Sequence, residues 1–366
     1  MRSAVSYVDS LSPWPKDGFG LERIKELLAR LGDPQLRYPS IHVVGTNGKS
    51  TVTRTTEALV AGAGLSVGAY LSPHVRGWSE RIRVRGEEAD FEAAIERVSA
   101  EAKALEATQF EVLTAAALAE FAAARVDAAV VEAGLGGRLD ATNVLDAEVV
   151  ALTNVSLDHT DVLGDTREAI ADEKLAVVAP GSTVVLGEPE WASRARARGA
   201  ARVVVTDDVG RAAAEAFLGR PLEGEVEVVL PGRFDRVGDD VFAGAHNPAG
   251  IEWLVERLPR ADYVVVASIL ADKDPDAMLR SLARAGDTLV ATASHSARVL
   301  PADELGAHGR SYFGRVETVA DPAAALRRAR ELAGGERPVL VTGSLYLLAD
   351  LIVRLERVPW GSSASA

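Results

Sequence analysis

At 366 residues and 38.6 kDa the chain is long enough for roughly two domains, and a composition of 48% hydrophobic and 25% charged residues builds a sizeable core. Asp and Glu outnumber Lys and Arg, 53 to 40, for a net charge of -13, which argues against a phosphate-backbone binder and hence against a nucleic-acid partner. Cysteine is absent, which excludes disulfides, thiolate metal sites and Cys nucleophiles and fits a reducing cytoplasm; the N-terminal segment has no signal-peptide core, and no apolar run approaches the ~18 residues of a membrane span.

The recurring unit is a short apolar strand, a turn bearing Gly or Asp, and an amphipathic helix. Residues 41–44 (IHVV) lead into GTNGKST and a helix running to Ala63. Helical patterns follow over 91–105 and 111–124, then a β-branched run at 127–132 (DAAVVE) and the segment AGLGGRLDATN. Residues 148–154 (EVVALTN) end in VSLDHTD, and 182–186 (STVVL) precede a helix around Glu190. Residues 202–207 and 225–230 (EVEVVL) read as strands before the turn Pro231-Gly232. A second series follows: 240–243 before GAHNPAG and a helix, 263–267 before SILADKD and a helix, 288–291, and 338–342 before a final helix.

Continuous apolar strands alternating with helices predict an α/β protein with parallel strands covered on both faces. The expected architecture is a P-loop-type, mostly parallel sheet domain over 1–230 followed by a smaller Rossmann-like α/β domain over 231–366, with a disordered tail GSSASA.

The segment from Val43 to Thr51 is the first to carry chemistry. A strand ends, a glycine turn exposes backbone N–H groups, and a helix starts with its positive end there, an arrangement that holds phosphates. Thr46, Asn47, Gly48, Lys49, Ser50 and Thr51 form this candidate ATP loop, with Lys49 reaching phosphate oxygens and Ser50 bound to Mg²⁺. It departs from GxxxxGK[ST], because Val43 stands where the first Gly belongs. Elsewhere the residues alone leave alternatives open. Glu132 is a strand-end carboxylate beside the ligand-binding edge of such a sheet or one satisfied by nearby N–H groups. His159 is a ligand or a loop residue, Ser72 a ligand or part of a Ser-Pro turn, Lys174 functional or an exposed helix lysine, and Phe110 a core residue or a stacking platform.

GTNGK[ST] resembles the ATP loop of the Mur ligase superfamily. Within it the chain is most similar to the folylpolyglutamate synthase/dihydrofolate synthase family, through GLERIKELLARLG, YLSPHV, SERIRV, TQFEVLTAAAL, EAGLGGRLDATN, LDHTDVLG, EKLAV, PGRF, GAHNPAG, LADKDPDAML and VTGSLYLLA. This resemblance implies an ATP- and Mg²⁺-dependent amide ligase that adds L-glutamate to dihydropteroate, or to the γ-carboxylate of a reduced folate, through an acyl phosphate. It implies a metal set of Ser50, Ser72, Glu132 and His159, and a carbamylated Lys174. It also implies that Phe110 and Thr108 lie beside the pterin, Asp140 on its polar edge, and Arg138 by the phosphates. Arg233 and His246 are expected to close the nucleotide site, and Ser344 and Tyr346 to line the glutamate site. Lys49, Arg138, His159 and Lys174 form the expected catalytic group, in a monomer whose domains close over ATP.

The chain departs from the family pattern at GKST, where the family usually reads GKG[ST]; at Ala243, where it usually has Asp, with Asp239 or Asp240 as candidate substitutes; and in a shortening between Lys174 and Pro231. Two other readings compete with the ligase: a Mur enzyme acting on a UDP-linked peptide, for which the 44 residues before Gly45 are too few to form the extra domain, and a nucleotide-binding regulator without ligation.

Overall fold

The computed structural model describes residues 3–15, 18–259 and 262–355; the tail at 361–366 lies outside them. The chain divides into two compact units between Val228 and Val229.

The first unit carries β1 (Ser40–Val44), β2 (Val67–Tyr70), β3 (Ile82–Val84), β4 (Glu87–Glu88), β5 (Ala128–Glu132), β6 (Val149–Leu152), β7 (Thr183–Leu186) and β8 (Arg202–Val205). They form one sheet in the order β4-β3-β2-β5-β1-β6-β7-β8. From β2 to β8 every pairing is parallel, and the short β3 and β4 extend the sheet as an antiparallel ribbon. The central strands β1, β5 and β6 are buried along their whole length, which explains their apolar, non-alternating sequences. Alternation along β1 puts Ile41 and Val43 against the helix Lys49–Gly62, in a cluster with Leu59 and Val60, and turns His42 and Val44 to the other face.

Registers fix which residues share the functional edge. Val43 pairs with Glu132 and Val44 with Leu152, so the loop after β1, the end of β5 and the segment after β6 emerge together at the carboxyl ends of parallel strands.

The second unit carries β9 (Arg233–Val237), β10 (Asp240–Ala243), β11 (Val264–Ala267), β12 (Thr288–Ala291), β13 (Arg315–Thr318) and β14 (Val339–Thr342), ordered β13-β12-β11-β14-β10-β9. All pairings are parallel except β9 with β10. Its core gathers Val265, Leu289 and Leu340 with Leu279 and Leu305.

One sequence expectation fails. Residues 225–230 are not a strand: Val226 and Val229 are exposed, and the segment joins neither sheet. Among the described residues no helix is long and apolar enough to cross a membrane.

Candidate active site

The phosphate loop is shaped by two glycines. A Cβ at Gly45 would lie 1.8 Å from Thr153 Oγ1, so only glycine can pass the end of β6 there. Gly48 adopts φ 79° as the residue that starts the helix Lys49–Gly62, and no side chain caps that helix. The loop is braced by the segment after β6: Thr46 N donates to Asn154 O at 2.9 Å and Asn47 N to Asn154 Oδ1 at 3.0 Å. Thr153 Oγ1 and Asn154 Nδ2 donate to Asn47 O at 2.7 and 3.0 Å. Lys49 Nζ donates to Thr46 O at 3.3 Å, across the loop, and Thr51 is exposed on the first helical turn.

Glu132 is buried, 1% exposed, and its two oxygens are divided between two other elements. Oε1 accepts from Ser50 Oγ at 3.1 Å, and Oε2 from the Ser72 amide at 3.1 Å. Arg81, itself buried, donates to Ser72 Oγ at 3.4 Å and to His74 Nδ1 at 3.0 Å, while its guanidinium lies over the Trp78 ring. Burial and the Arg81 charge lower His74 to about 3, so its imidazole is neutral and accepts. The structure thus gathers Ser50, Ser72 and Glu132.

His159 stands on the neighbouring segment, which Ser156 N ties to Thr46 Oγ1 at 3.1 Å. It adopts φ 50° at the start of a short helix and leaves its side chain about one-third exposed (31%). Among the described residues no three His, Asp or Glu side chains group tightly enough to hold a metal ion by themselves. One carboxylate and two hydroxyls beside a phosphate loop is the sparse, hard-oxygen set that suits Mg²⁺, which keeps several waters and takes further ligands from phosphates.

Lys174 is not an exposed helix lysine. It ends the helix Arg167–Lys174 with 4% exposure, and its Nζ donates to Gly45 O at 2.8 Å. Burial, and secondarily the charge of Lys49, lower its pKa to about 7, while Asp158 and Asp140 pull it upward.

The loop after β5 closes onto that helix. A Cβ at Gly137 would lie 2.5 Å from Glu173 O, and Arg138 both donates its amide to Glu173 O at 3.0 Å and forms an ion pair with the Glu173 carboxylate at 2.7 Å. Asp140 organises the loop from inside. Its Oδ2 accepts from Leu135 N at 2.7 Å, and its Oδ1 from Thr142 N at 3.0 Å and from the Thr142 hydroxyl. Burial raises the Asp140 pKa, opposed by these donors and by Lys49.

Thr108 caps the helix Gln109–Ala124 in a reciprocal box with Glu111, which accepts from both its amide and its hydroxyl at 2.8 Å. Phe110 is half-buried against the core, 6.1 Å from the Tyr70 ring, and fills the space that a Cβ at Gly134 would need, 2.5 Å from its Cζ.

In the second unit, Arg233 opens β9 opposite Ala243, with a bulge between Phe242 and Ala243. His246 Nδ1 lies 2.9 Å from Gly244 O, and Asn247 caps the helix Pro248–Glu256. Asp240 does not substitute for the acid absent at Ala243. It stands at the opposite end of β10, roughly 10 Å away at strand rise, and accepts from Val339 N at 2.9 Å and Arg330 Nη2 at 3.1 Å. Asp239 precedes it, farther still from Ala243. Ser344 is buried and accepts from Tyr346 N at 3.1 Å; the Tyr346 ring is 45% exposed, with Arg298 Nη2 3.4 Å from its hydroxyl.

Sequence reasoning missed two polar residues near these groups, Arg81 and His74, which lie inside blocks read only as resemblance. Their signal is charge in segments that burial later claims, and linear sequence does not display it.

Residues 43–216 match the family model of the Mur ligase middle domain, and 232–345 that of the Mur ligase glutamate ligase domain. The chain is 32% identical to the dihydrofolate synthase/folylpolyglutamate synthase of Escherichia coli (strain K12), over 96% of this chain and 94% of that protein. Its fold is similar to the solved structure of E. coli FolC in complex with DHPP and ADP, with a TM-score of 0.86 and 31% identity over 98% of this chain and 99% of that one. It is also similar to a bifunctional folylpolyglutamate synthase/dihydrofolate synthase solved with Mn, AMPPNP and L-glutamate bound, with a TM-score of 0.84 and 30% identity over 97% of this chain and 98% of that one.

Proposed function

The chain belongs to the folylpolyglutamate synthase/dihydrofolate synthase family of Mur ligases, and from that premise we propose that it joins L-glutamate to dihydropteroate, to the γ-carboxylate of a reduced folate, or to both, using ATP and Mg²⁺. Residues 1–230 carry the ATP and folate sites in this reading, and 231–366 the glutamate-ligase part. In this reading the protein acts on small molecules in the cytoplasm, which the absence of cysteine fits, and as a monomer, which the family membership supports.

The observation that carries the proposal is the buried Glu132 carboxylate held between Ser50 of the phosphate loop and Ser72. In the ligation a carboxylate oxygen of the pteroate or folate attacks the γ-phosphorus of ATP, the bond to ADP breaks, and an acyl phosphate forms. The α-amine of glutamate then attacks the acyl carbon, phosphate leaves, a C–N bond forms and the amine proton passes to solvent. Both reactants of the first step are anions, so the repulsion between them must be screened. Ser50, Ser72, Glu132 and His159 would hold Mg²⁺, which would supply charge neutralisation at the phosphates. Lys49 and the N–H groups of Thr46 to Thr51 bind and orient ATP.

A buried lysine with its pKa lowered to about 7 is neutral far more often at neutral pH than an ordinary lysine, and the neutral amine is the form that adds CO₂, which supports a carbamate on Lys174. Phe110, Thr108 and Asp140 define the folate side, Ser344 and Tyr346 the glutamate side, and Arg138 stands between the folate-side loop and Lys174's helix.

Phosphate release with ATP, Mg²⁺ and L-glutamate, measured separately with dihydropteroate, a reduced folate and a UDP-muramoyl peptide, tests the proposal. Turnover is expected with at least one pterin and not with the peptide; turnover with the peptide alone overturns it.

A further inference from the structure

His42 lies in the middle of β1, fully buried, in register with Val131 of β5 and Val150 of β6. A polar ring in the central strand of a parallel sheet occupies an apolar position and needs a partner. Its Nε2 lies 2.8 Å from Thr142 Oγ1, and its Nδ1, also buried, has no hydrogen-bond partner among the described residues.

Proton counting then orients the chain. The Thr142 hydroxyl has one proton and gives it to Asp140 Oδ1, the oxygen that also accepts the Thr142 amide at 3.0 Å. Toward His42 the same hydroxyl can only accept. The imidazole therefore carries its proton on Nε2 and leaves Nδ1 as a bare lone pair, which is cheaper to bury unpaired than an N–H. Burial lowers the ring to about 4, so it is neutral at pH 7. The opposite polarity would orphan an Nδ1–H in the core and remove the hydroxyl donor from Asp140. Two buried polar groups would be left worse satisfied.

We propose that His42 is a positioning residue for the folate-side substrate, which through Thr142 holds the Asp140 carboxyl group in a fixed orientation in the loop after β5. The role of Asp140 toward the substrate rests on the folate reading of that loop; the His42–Thr142–Asp140 polarity does not. The ring touches no reacting atom. It fixes which way the Thr142 hydroxyl points, the hydroxyl fixes one carboxylate oxygen, and Leu135 N fixes the other.

Two measurements test this. In the wild-type protein labelled with ¹⁵N-histidine, long-range ¹H–¹⁵N spectra at neutral pH should show His42, assigned by the loss of its signals in His42→Gln, as the Nε2–H tautomer. An Nδ1–H tautomer or an imidazolium overturns the proposal.

In steady-state assays, Thr142→Val should raise KM for the pterin about tenfold, the scale of one lost hydrogen bond to a charged group, with KM for ATP and kcat nearly unchanged. Thr142→Ser should restore it to within about twofold, since it keeps the hydroxyl. His42→Phe should reproduce the Thr142→Val effect, and His42→Gln, which returns an N–H near the Nε2 position, should recover part of it. A wild-type pterin KM in Thr142→Val, or an equal rise in KM for ATP, overturns the proposal. If His42→Phe fails to fold, the Thr142 pair and the tautomer decide. If the wild type turns over no pterin, the folate reading falls, while the tautomer still shows whether His42 orients Asp140.

Discussion

Lys174 Nζ donates to the carbonyl of Gly45 at 2.8 Å, joining the last residue of one helix to the first residue of the phosphate loop. Gly45 has no room for a side chain, and the lysine has almost no exposure to water. The contact therefore places an amine of lowered pKa beside the loop, near Lys49, Asp140 and Asp158.

If this amine becomes a carbamate, Lys174→Ala removes an anion from the shell around the phosphates and abolishes most ligation. Acetate should restore part of it, because the missing group is chemically a carboxylate. Lys174→Arg should not be active, since a guanidinium brings a fixed positive charge. Native mass spectrometry in bicarbonate buffer should find one added carboxyl on the wild type and none on Lys174→Arg. Full activity of the arginine variant would eliminate the carbamate.

The unmodified lysine also predicts a pH dependence of stability. Its folded pKa, about 7, lies below the ordinary lysine value near 10.4. Between those values the unfolded chain holds a proton that the folded chain lacks, so this group makes stability rise with pH across that window. Below about pH 7 its full cost is present. In CO₂-free buffer, denaturant midpoints should climb between about pH 7 and 9 for the wild type and climb less for Lys174→Met. Parallel curves for the two proteins would contradict the burial argument.

Glu132 separates ATP binding from ATP use. Glu132→Gln loses the charge but keeps an amide oxygen to accept from Ser72 N, with its NH2 turned to the Ser50 hydroxyl, which can accept, and His159→Ala removes a proposed ligand without touching the loop backbone. Each should bind ATP nearly as the wild type does while kcat falls roughly 10²-fold, the scale of losing one preorganised electrostatic contact. Equilibrium nucleotide binding set beside single-turnover ligation makes the comparison. Normal ligation in either variant removes that residue from the metal set.

Gly134 and Phe110 should behave as one unit. Gly134→Ala drives a methyl into the Phe110 ring, an overpacking that costs about 1–3 kcal/mol and displaces the ring. Adding Phe110→Leu should recover stability, because the smaller side chain yields the space. It should not recover the pterin KM, which depends on a flat aromatic face. Thermal unfolding and pterin KM measured over the double-mutant cycle check both halves. Recovery of KM together with stability would make Phe110 a packing residue only.

How much of this was legible in sequence depended on whether its cause was local. The run at 41–44, the glycines of GTNGKST and the helix after them were readable because apolar period, turn conformation and helix start act within a few residues. The capping box of Thr108 with Glu111 has the same local origin. The ribbon β3–β4 escaped notice because strands of three and two residues carry too little pattern.

The linear sequence by itself determined the α/β alternation, the phosphate loop and the ordered blocks that mark the family, since each is written in neighbouring residues. Only the tertiary structure decided which polar groups meet. Residues 225–230 have strand composition but form no strand, because a strand exists only where an edge accepts its N–H and C=O groups. Lys174 is buried because the Gly137 loop closes over its helix, and no feature of EKLAV announces that. His42 sits 100 residues from Thr142 in the chain and 2.8 Å from it in the fold. The charge state of a buried group is set by such distant neighbours, through desolvation and hydrogen bonding, and parallel strand register is what brings them together.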